Sequence, residues 1–251
     1  MKIAVLGGTG EMGSRVVANL TERGHEVVAA SRANGVDVLT GEGLDEALAG
    51  VHTVVDCLNT RTVSKRRAVD FLTTCARNSI EAARRQEVRR AVVLSILNVV
   101  KPEVRAGLGY YAGKAAQEEA YAWSGLPATI VSTTAWFTLA EQFLTQARVG
   151  PFAFVPTMML RPVHPDAAAV ALADAAETRP AEDRVRLWGP EEIRADLMAR
   201  DLARATGQKA RVVGVPFPNS RFRNGALLPD GDGIEDDRRF ADWLEEQKAV
   251  R

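Results

Sequence analysis

The amino-terminal segment is the feature that most restricts what this chain can fold into. It opens with KIAVLG, a short apolar run, and continues into GGTGEMG, which holds Gly7, Gly8, Gly10 and Gly13. The spacing matches G-x-x-G-x-x-G from Gly7 and G-x-G-x-x-G from Gly8. The following residues, 11–24, have the apolar spacing of a helix and end at a glycine. The segment therefore predicts a buried strand, a tight glycine turn and a helix.

The same alternation continues along the first half of the chain. Short apolar runs rich in β-branched residues predict strands that are buried on both faces, and segments with helical spacing lie between them. The predicted strands are HEVVAAS, HTVVDCL, RRAVVLS and PATIVST, with a weaker one at GVDVLT, and the predicted helices include DEALAG, TVSKRRAVDFLTTCARNSIEAARRQ and YYAGKAAQEEAYAWSG. Alternating strands and helices of this kind predict an α/β fold: a Rossmann-like, doubly wound parallel sheet with right-handed crossovers.

The pattern loosens after about residue 135. Here the chain predicts a helix around 165–178 that Asp166 caps, a strand at RVRLWG, a helix around 190–206, a strand at ARVVGV, a loop at 216–234 and a last helix near 235–247. No linker separates independent domains. We therefore predict one domain over residues 1–251.

The balance of charged residues argues against some classes of binding partner. The formal net charge is +0 and the isoelectric point is about 6.9, so no broad electrostatic surface for nucleic acid or anionic lipid is indicated. A local basic patch remains compatible with these values, because net charge says nothing about distribution. The two cysteines, Cys57 and Cys75, are expected to be buried reduced thiols. With no apolar run of membrane-spanning length, we expect a cytoplasmic monomer or homodimer that binds neither nucleic acid nor membrane.

The glycine segment predicts a dinucleotide site. Glycines permit the tight turn and the close approach of backbone to a pyrophosphate, and free N–H groups of the first helical turn then face the phosphates. The alternative is a glycine-rich turn without a ligand. The predicted cofactor contacts in this part of the chain are Gly7, Gly8, Thr9, Gly10, Glu11, Met12 and Gly13, and after the predicted strand HTVVDCL they include Leu58 and Asn59.

The residues after the second predicted strand indicate which dinucleotide is bound. Where an NAD-binding chain usually carries an acidic residue for the ribose 2′-hydroxyl, this sequence has Ser31 and Arg32. A guanidinium attracts a 2′-phosphate and forms paired hydrogen bonds with it, and a serine hydroxyl adds a donor. The pair therefore predicts NADP(H), with an ordinary surface arginine as the alternative. Asp37, a few residues further on, is expected to lie too far along the chain to restore an NAD preference.

Three residues form a candidate catalytic group. Tyr110 and Lys114 are four residues apart and share one face of a predicted helix, and Ser95 ends the fifth predicted strand. A tyrosine with a nearby ammonium can supply the proton that carbonyl reduction requires, and Lys114 can also hold a cofactor ribose. Ser95 can polarise the substrate oxygen. The doublet Tyr110-Tyr111 leaves open which tyrosine acts, or whether either does.

Four segments together resemble the atypical short-chain dehydrogenase/reductase superfamily, and more narrowly its NmrA-like branch of NAD(P)H-binding proteins. They are GGTGEMG, SR after the second strand, VVLS in the fifth predicted strand and GYYAGKAAQEE. SGLPATIVSTTAWF, LRPVHPDAAAVALADA and GALLPD…FADWL resemble later segments of that branch. The likeness covers nearly the whole chain. It implies a single NAD(P)-binding, Rossmann-like domain over residues 1–251. In that domain a small carboxy-terminal substrate-binding portion is contributed mainly by about 133–165 and 205–251.

The resemblance leaves three functions open. The first is an NADP(H)-dependent oxidoreductase that transfers hydride to a small apolar carbonyl or quinone. For this function the aromatic residues Tyr111, Trp136, Phe137 and Phe143 are candidate substrate contacts, with a core role as the alternative. The second is an NADP(H)-sensing binding protein with little catalysis. The third is an isomerase or epimerase that retains its cofactor.

Overall fold

The computed structural model describes residues 1–62, 64–217, 222 and 225–249. The chain divides into two compact units. The first consists of Met1–Ser132 and Ala168–Val185, and the second of Thr133–Ala167 and Arg186–Arg251. The prediction of a single domain over the whole chain remains a prediction. Among the described residues, no helix has both the length and the hydropathy that a membrane span requires.

The secondary structure alternates as the sequence predicts. The strands are β1 (Lys2–Leu6), β2 (Glu26–Ala30), β3 (Thr53–Asp56), β4 (Arg90–Ile96), β5 (Ala128–Thr133), β6 (Arg148–Val149), β7 (Phe152–Pro156), β8 (Met159–Leu160), β9 (Arg184–Trp188), β10 (Ile193–Arg194), β11 (Arg211–Val215) and β12 (Ile234–Glu235). The helices are α1 (Glu11–Glu22), α2 (Leu44–Leu48), α3 (Lys65–Arg85), α4 (Pro102–Arg105), α5 (Gly109–Ala122), α6 (Leu139–Gln146), α7 (Pro165–Glu177), α8 (Ala195–Ala205) and α9 (Phe240–Ala249). A 3₁₀ turn covers Arg32–Asn34.

A seven-stranded sheet carries the fold, with the strand order β12-β9-β5-β4-β3-β1-β2. β1 pairs in parallel with both β2 and β3, and β3 pairs in parallel with β4. β3 is buried along its whole length, as is β4 except for its last residue, because helices cover both faces of a doubly wound sheet. The order reverses beside β1, and in open α/β sheets ligands bind at such a switch point, outside the carboxyl ends of the strands. The predicted Rossmann-like α/β fold is confirmed.

One predicted strand of the first unit is wrong. GVDVLT forms turns, and its only ladder contact among the described residues is an isolated bridge between Asp37 and Glu42. Asp37 explains the difference, because its carboxylate accepts the Leu39 N–H at 2.8 Å and so closes a local turn. Val36 and Val38 are still buried, which accounts for the apolar pattern. Ser95 consequently lies in the fourth strand, one residue before its end.

The long helices α3 and α5 pack closely on one another. A Cβ added to Gly113 on α5 would lie 2.8 Å from the carbonyl oxygen of Ala68 on α3, so only a glycine permits this approach. Tyr110 and Lys114 lie on the same helix as Gly113. The α3–α5 contact therefore sets how far the candidate catalytic side chains stand from the sheet.

The second unit contains two smaller sheets and an aromatic core. β10 pairs with β8, and β7 lies between β11 and β6. The Phe137 ring lies against His164, Phe240 and Trp243, with centroid distances of 5.4–6.0 Å. Helix α8 begins at Ala195 rather than near 190, because residues 193–194 pair with β8 instead. In the predicted loop 216–234, residues 218–221 and 223–224 lie outside the described residues. Ile234, the last residue of that predicted loop, begins β12.

The amino-terminal cap of α7 differs from the prediction. The helix begins at Pro165, and the backbone N–H of Asp166 donates to Nδ1 of His164 at 3.1 Å. Asp166 is therefore already inside the first turn, and the preceding histidine caps the helix in its place. Burial is the main cause that lowers the pKa of His164 and favours the neutral ring that accepts this bond.

The carboxyl end of α7 is held by charged side chains. Glu177 accepts from His25 at 2.6 Å and from Arg23 at 2.7 Å, and Arg23 also donates to Asp174. The hydrogen bond from His25, followed by the bond and charge of Arg23, lowers the pKa of Glu177 below its ordinary value of 4.5. The carboxylate thus stabilises the folded state at neutral pH, and this contribution is lost as the pH falls through the lowered pKa.

Replacing Glu177 with Gln tests this anchor. We expect the free energy of unfolding to fall by about 1 kcal/mol at pH 7. The difference from the native protein should shrink as the pH falls below 4.5, because the native side chain then also becomes neutral. Urea denaturation between pH 3 and 7 measures both effects. Glu81→Gln, an exposed change on α3, is the matched control. A difference that does not depend on pH would contradict the account.

Candidate functional site

The glycine loop turns tightly between β1 and α1. Gly7 has φ of 73°, a left-handed conformation that favours glycine, and both Gly7 N–H and Gly8 N–H donate to the Ala30 carbonyl on β2. The Gly10 N–H then closes the turn on the Gly7 carbonyl at 2.9 Å. These bonds join the carboxyl ends of β1 and β2 directly to the start of the first helix.

Two of the glycines are required by close contact. A Cβ on Gly13 would lie 2.1 Å from the Gly7 carbonyl oxygen, and one on Gly8 would lie 2.8 Å from the Cα of Ala29. Any residue with a side chain at Gly8 or Gly13 would have to displace the backbone, because both contacts are with main-chain atoms. The loop therefore presses helix α1 against the end of the sheet, as a dinucleotide-binding turn requires.

The start of α1 is open for an anion. Gly10 is the N-cap residue and provides no side-chain hydrogen bond, and the first backbone bond within the helix runs from Ser14 N–H to Gly10 O. Helix geometry thus leaves the N–H groups of Glu11, Met12 and Gly13 without a helical acceptor. Such groups, together with the helix dipole, favour a phosphate at this position.

The end of β2 carries a cation and an unsatisfied hydroxyl. Arg32 is exposed, and no described residue forms an ion pair with it. Ser31 is 9% exposed, and its buried Oγ has no hydrogen-bond partner among the described residues. Asp37, the acidic alternative, uses one of its carboxylate oxygens within its own turn. A buried hydroxyl without a partner is costly unless a ligand or water completes it, so these residues fit an anionic group at the end of β2.

Lys114 occupies the space between the ends of two strands. It is 1% exposed, and its ammonium group donates to the carbonyls of Leu58 and Leu94 and to Oε1 of Gln117, at 3.0, 2.8 and 2.8 Å. All three of its N–H donors are thereby used within the protein. Burial is the main cause that lowers the pKa of Lys114, and the nearby Asp56 carboxylate opposes that shift. In this structure, therefore, Lys114 ties α5 to the carboxyl ends of β3 and β4.

A buried polar network extends from this lysine. Asp56, the last residue of β3, is fully buried and accepts from Gln117 and Tyr121 at 2.8 and 2.9 Å, and from the Leu58 N–H. Asp56, Gln117 and Tyr121 are not among the site residues predicted from the sequence. Helical spacing offered a signal, because Gln117 and Tyr121 lie three and seven residues after Lys114 on one face of α5.

Tyr110 and Tyr111 lie side by side at the start of α5. Their ring centroids are 5.8 Å apart, and the side chain of Asn59, in the loop after β3, acts on the Tyr110 hydroxyl to lower its pKa against the larger effect of burial. Burial is the main cause that raises the pKa of Tyr110, and it raises the pKa of Tyr111 to about 12. Both hydroxyls are consequently protonated at neutral pH and able to donate a proton. Tyr110 and Lys114, in the first half of α5, thus lie close to Leu58 and Asn59, which follow the carboxyl end of β3.

Ser95 has a different environment. It is 2% exposed, and its hydroxyl donates to the buried carboxylate of Glu118. The other oxygen of Glu118 accepts from Arg184 at 2.6 Å, and Arg184 also donates to Ser132. The Ser95 hydroxyl is therefore part of a closed network between β4, α5 and β9. Among the described residues, no His, Cys, Asp or Glu cluster is suited to a metal ion.

A family model described as NAD(P)H-binding matches residues 7–151, which is more than half of the chain. The chain belongs to this NAD(P)H-binding family. The match begins at the first glycine of the loop and includes both β2 and α5. A comparison with curated proteins gives no significant match.

Solved structures support the same fold for this family member. A UDP-N-acetylglucosamine 4-epimerase from Bacillus cereus has a TM-score of 0.73 at 20% identity, with coverage of 100% of this chain and 96% of that chain. A short-chain dehydrogenase/reductase superfamily protein from Agrobacterium tumefaciens with bound NAD has a TM-score of 0.72 at 19% identity, with 100% and 97% coverage. A dTDP-4-dehydrorhamnose reductase from Yersinia enterocolitica has a TM-score of 0.66 at 15% identity, with 87% and 86% coverage. The predicted membership of an NAD(P)-binding family is confirmed by the family model, and the solved structures confirm the predicted fold.

The predicted substrate residues of the second unit have unequal environments. Phe137 is fully buried in the aromatic core, whereas Trp136 and Phe143 are half-buried. The indole N–H of Trp136 donates to the Thr133 hydroxyl at 3.0 Å, which fixes that ring. The assignment of these three side chains to substrate stays a prediction for the NAD(P)H-binding chain.

Replacing Lys114 with Met tests its role as a structural tie. We expect the free energy of unfolding, measured without nucleotide, to fall by about 2 kcal/mol, because two buried carbonyls and the Gln117 amide lose their donor. Lys65→Met, an exposed change at the start of α3, should leave it unchanged. If Lys114→Met were as stable as the native protein, the lysine would not have this role.

Proposed function

We propose that the chain is an NADP(H)-dependent oxidoreductase that transfers hydride to a small apolar carbonyl or quinone. The observation that carries the preference for NADP(H) is the end of β2, where the Ser31 hydroxyl has no partner and the exposed Arg32 has no ion pair among the described residues. An acidic residue there would repel a 2′-phosphate, and this pair attracts one. Membership of the NmrA-like branch and a cytoplasmic location belong to the same proposal.

The residues of the loop hold and orient the cofactor in this proposal. The N–H groups of Glu11, Met12 and Gly13 bind the pyrophosphate, and Gly7, Gly8, Thr9 and Gly10 supply a backbone surface that lets it approach. The Leu58 and Asn59 segment, at the end of β3, lies along the same carboxyl edge. When bound, the nicotinamide supplies or accepts the hydride.

Tyr110 acts as the proton donor to the substrate oxygen. Its hydroxyl is protonated at neutral pH, as proton donation to a carbonyl oxygen requires. Lys114 acts as a positioning residue, because its three donors hold the strand ends against which α5 rests. Tyr111, beside Tyr110, offers aromatic surface suited to a flat apolar substrate.

Exchanging Arg32 for Asp tests the cofactor preference. We expect the affinity for NADPH to fall by about 100-fold, because a charge-assisted contact with the 2′-phosphate is replaced by repulsion. The affinity for NADH, which lacks that phosphate, should change by less than about threefold. Isothermal titration calorimetry with both nucleotides measures this, with Arg77→Asp on the exposed side of α3 as a control of equal charge. Native protein that binds NADH as tightly as NADPH would refute the preference.

Replacing Tyr110 with Phe tests the chemical role. We expect kcat for ketone substrates to fall by about 100-fold or more, with the affinity for NADPH unchanged, because only the proton donor is removed. Tyr111→Phe is the matched control, since that ring lies beside Tyr110 on the same helix. Steady-state turnover with a panel of ketones and quinones is the measurement. Equal rates for both variants and the native protein would exclude the tyrosine as donor.

One observation favours a second function. The donors of Lys114 and the hydroxyl of Ser95 are already used within the protein, which is compatible with a nucleotide-sensing protein that catalyses little. Such a protein would distinguish NADP⁺ from NADPH in binding and would consume neither. Steady NADPH oxidation with any substrate of the panel decides for the oxidoreductase. Substrate conversion without a net change in NADPH would indicate a cofactor-retaining isomerase instead.

A further inference from the structure

The small sheet β6–β7–β11 of the second unit has one apolar face that is open to solvent. The register places Val149 opposite Phe152, and Val213 opposite Phe154. Val149 is 68% exposed, Phe154 42%, Phe152 38% and Val213 36%, whereas Ala153 and Val155 on the other side of β7 are fully buried. We call these four exposed side chains the apolar face. The largest contiguous apolar patch on a protein surface is often a functional site.

Three exposed cations lie in or next to the strands of this small sheet. By register Arg211 is opposite Phe152 on the apolar face, whereas Arg148 is opposite Ala153 on the other side. Arg148 and Arg211 belong to the strands themselves, Lys209 lies just before β11, and all three are exposed. No described residue forms an ion pair with any of them. In the sequence, residues 142–165 and 202–217 contain several basic residues and no Asp or Glu, although the whole chain has 32 acidic and 32 basic residues. The neutral net charge therefore conceals a local basic surface.

We propose that the apolar face docks on an anionic lipid surface. The tip formed by residues 149–152 reads Val-Gly-Pro-Phe and is exposed throughout, so it can enter the interfacial region of a bilayer. Aromatic side chains favour that region, and arginine and lysine beside them attract the phosphates of anionic lipids. An anionic bilayer matches the apolar face in two ways: its interior is apolar, and its surface is negatively charged.

A second copy of the chain fits the apolar face less well. Its four side chains expose about 300 Å² in all, well below the roughly 800 Å² per partner of a stable interface. A two-fold contact would also bring Arg148, Lys209 and Arg211 of both copies towards one another with no acidic residues to compensate. A lipid surface requires neither a large area nor an acidic side chain.

Vesicle sedimentation tests the proposal on the full chain. We expect binding to vesicles of phosphatidylglycerol and phosphatidylcholine, little binding to phosphatidylcholine alone, and weakening at high salt. Phe152→Ser/Phe154→Ser should weaken binding by at least about tenfold. Arg148→Gln/Lys209→Gln/Arg211→Gln should weaken it by about fivefold for each cation removed. All of these positions are exposed, and thermal melts establish that the variants remain folded.

Two controls in the first unit separate this surface from general stickiness. Trp123→Ser removes an aromatic residue that is 88% exposed, and Arg66→Gln/Arg77→Gln/Arg89→Gln removes three exposed cations. Both should bind vesicles as the native protein does. The proposal is overturned if the native protein does not sediment with anionic vesicles, or if the controls lose as much binding as the variants. It is also overturned if size-exclusion chromatography shows a dimer that Phe152→Ser/Phe154→Ser dissolves, because a second copy then covers the face.

Discussion

The contact between the Gly7 carbonyl and Gly13 is the constraint on which the rest of the site depends. No side chain fits between them, so the helix α1 starts directly against the ends of β1 and β2. The same turn points the first helical N–H groups away from the helix interior, and Gly10 offers no side-chain cap. Those N–H groups therefore remain available to an anion at the point where the strand order reverses.

The candidate catalytic residues depend on a second constraint, the packing of α5 on α3. Gly113 permits that contact, and Lys114 then reaches the carbonyls after β3 and in β4. The result is a rigid edge in which Asp56, Gln117 and Tyr121 satisfy one another. Tyr110 stands one turn earlier on α5, beside Asn59, and keeps its proton at neutral pH. The rigidity of the lysine network thus serves to position the tyrosine.

The elements that local pattern determines could be predicted from the sequence. The glycine loop, the buried strands and the helices between them depend on β-branched runs, glycine and apolar spacing, all of which are visible along the chain. The prediction of a strand at GVDVLT was wrong, because a turn closed by an aspartate and a β-strand can place apolar residues at the same spacing. The prediction that Asp166 caps α7 was wrong, because the ring of His164 takes that role.

The environments of Lys114 and Ser95 could not be predicted in the same way. The acceptors of Lys114 are backbone carbonyls of Leu58 and Leu94, which have no signature in the sequence and come from distant segments. Ser95 meets Glu118, from the next helix, only after the sheet has assembled. The apolar face and its cations were equally hidden, because overall composition averages over both units of the chain.

The most direct measurement of the central claim is the backbone amide spectrum of the protein during titration with NADPH. If the start of α1 holds the pyrophosphate, the amide resonances of Glu11, Met12 and Gly13 will shift and saturate with the bound nucleotide. Those at the start of α9, where the Phe240 N–H already donates to Glu191, will not shift. Binding that leaves the three amides unchanged, or no binding at all, would contradict the account.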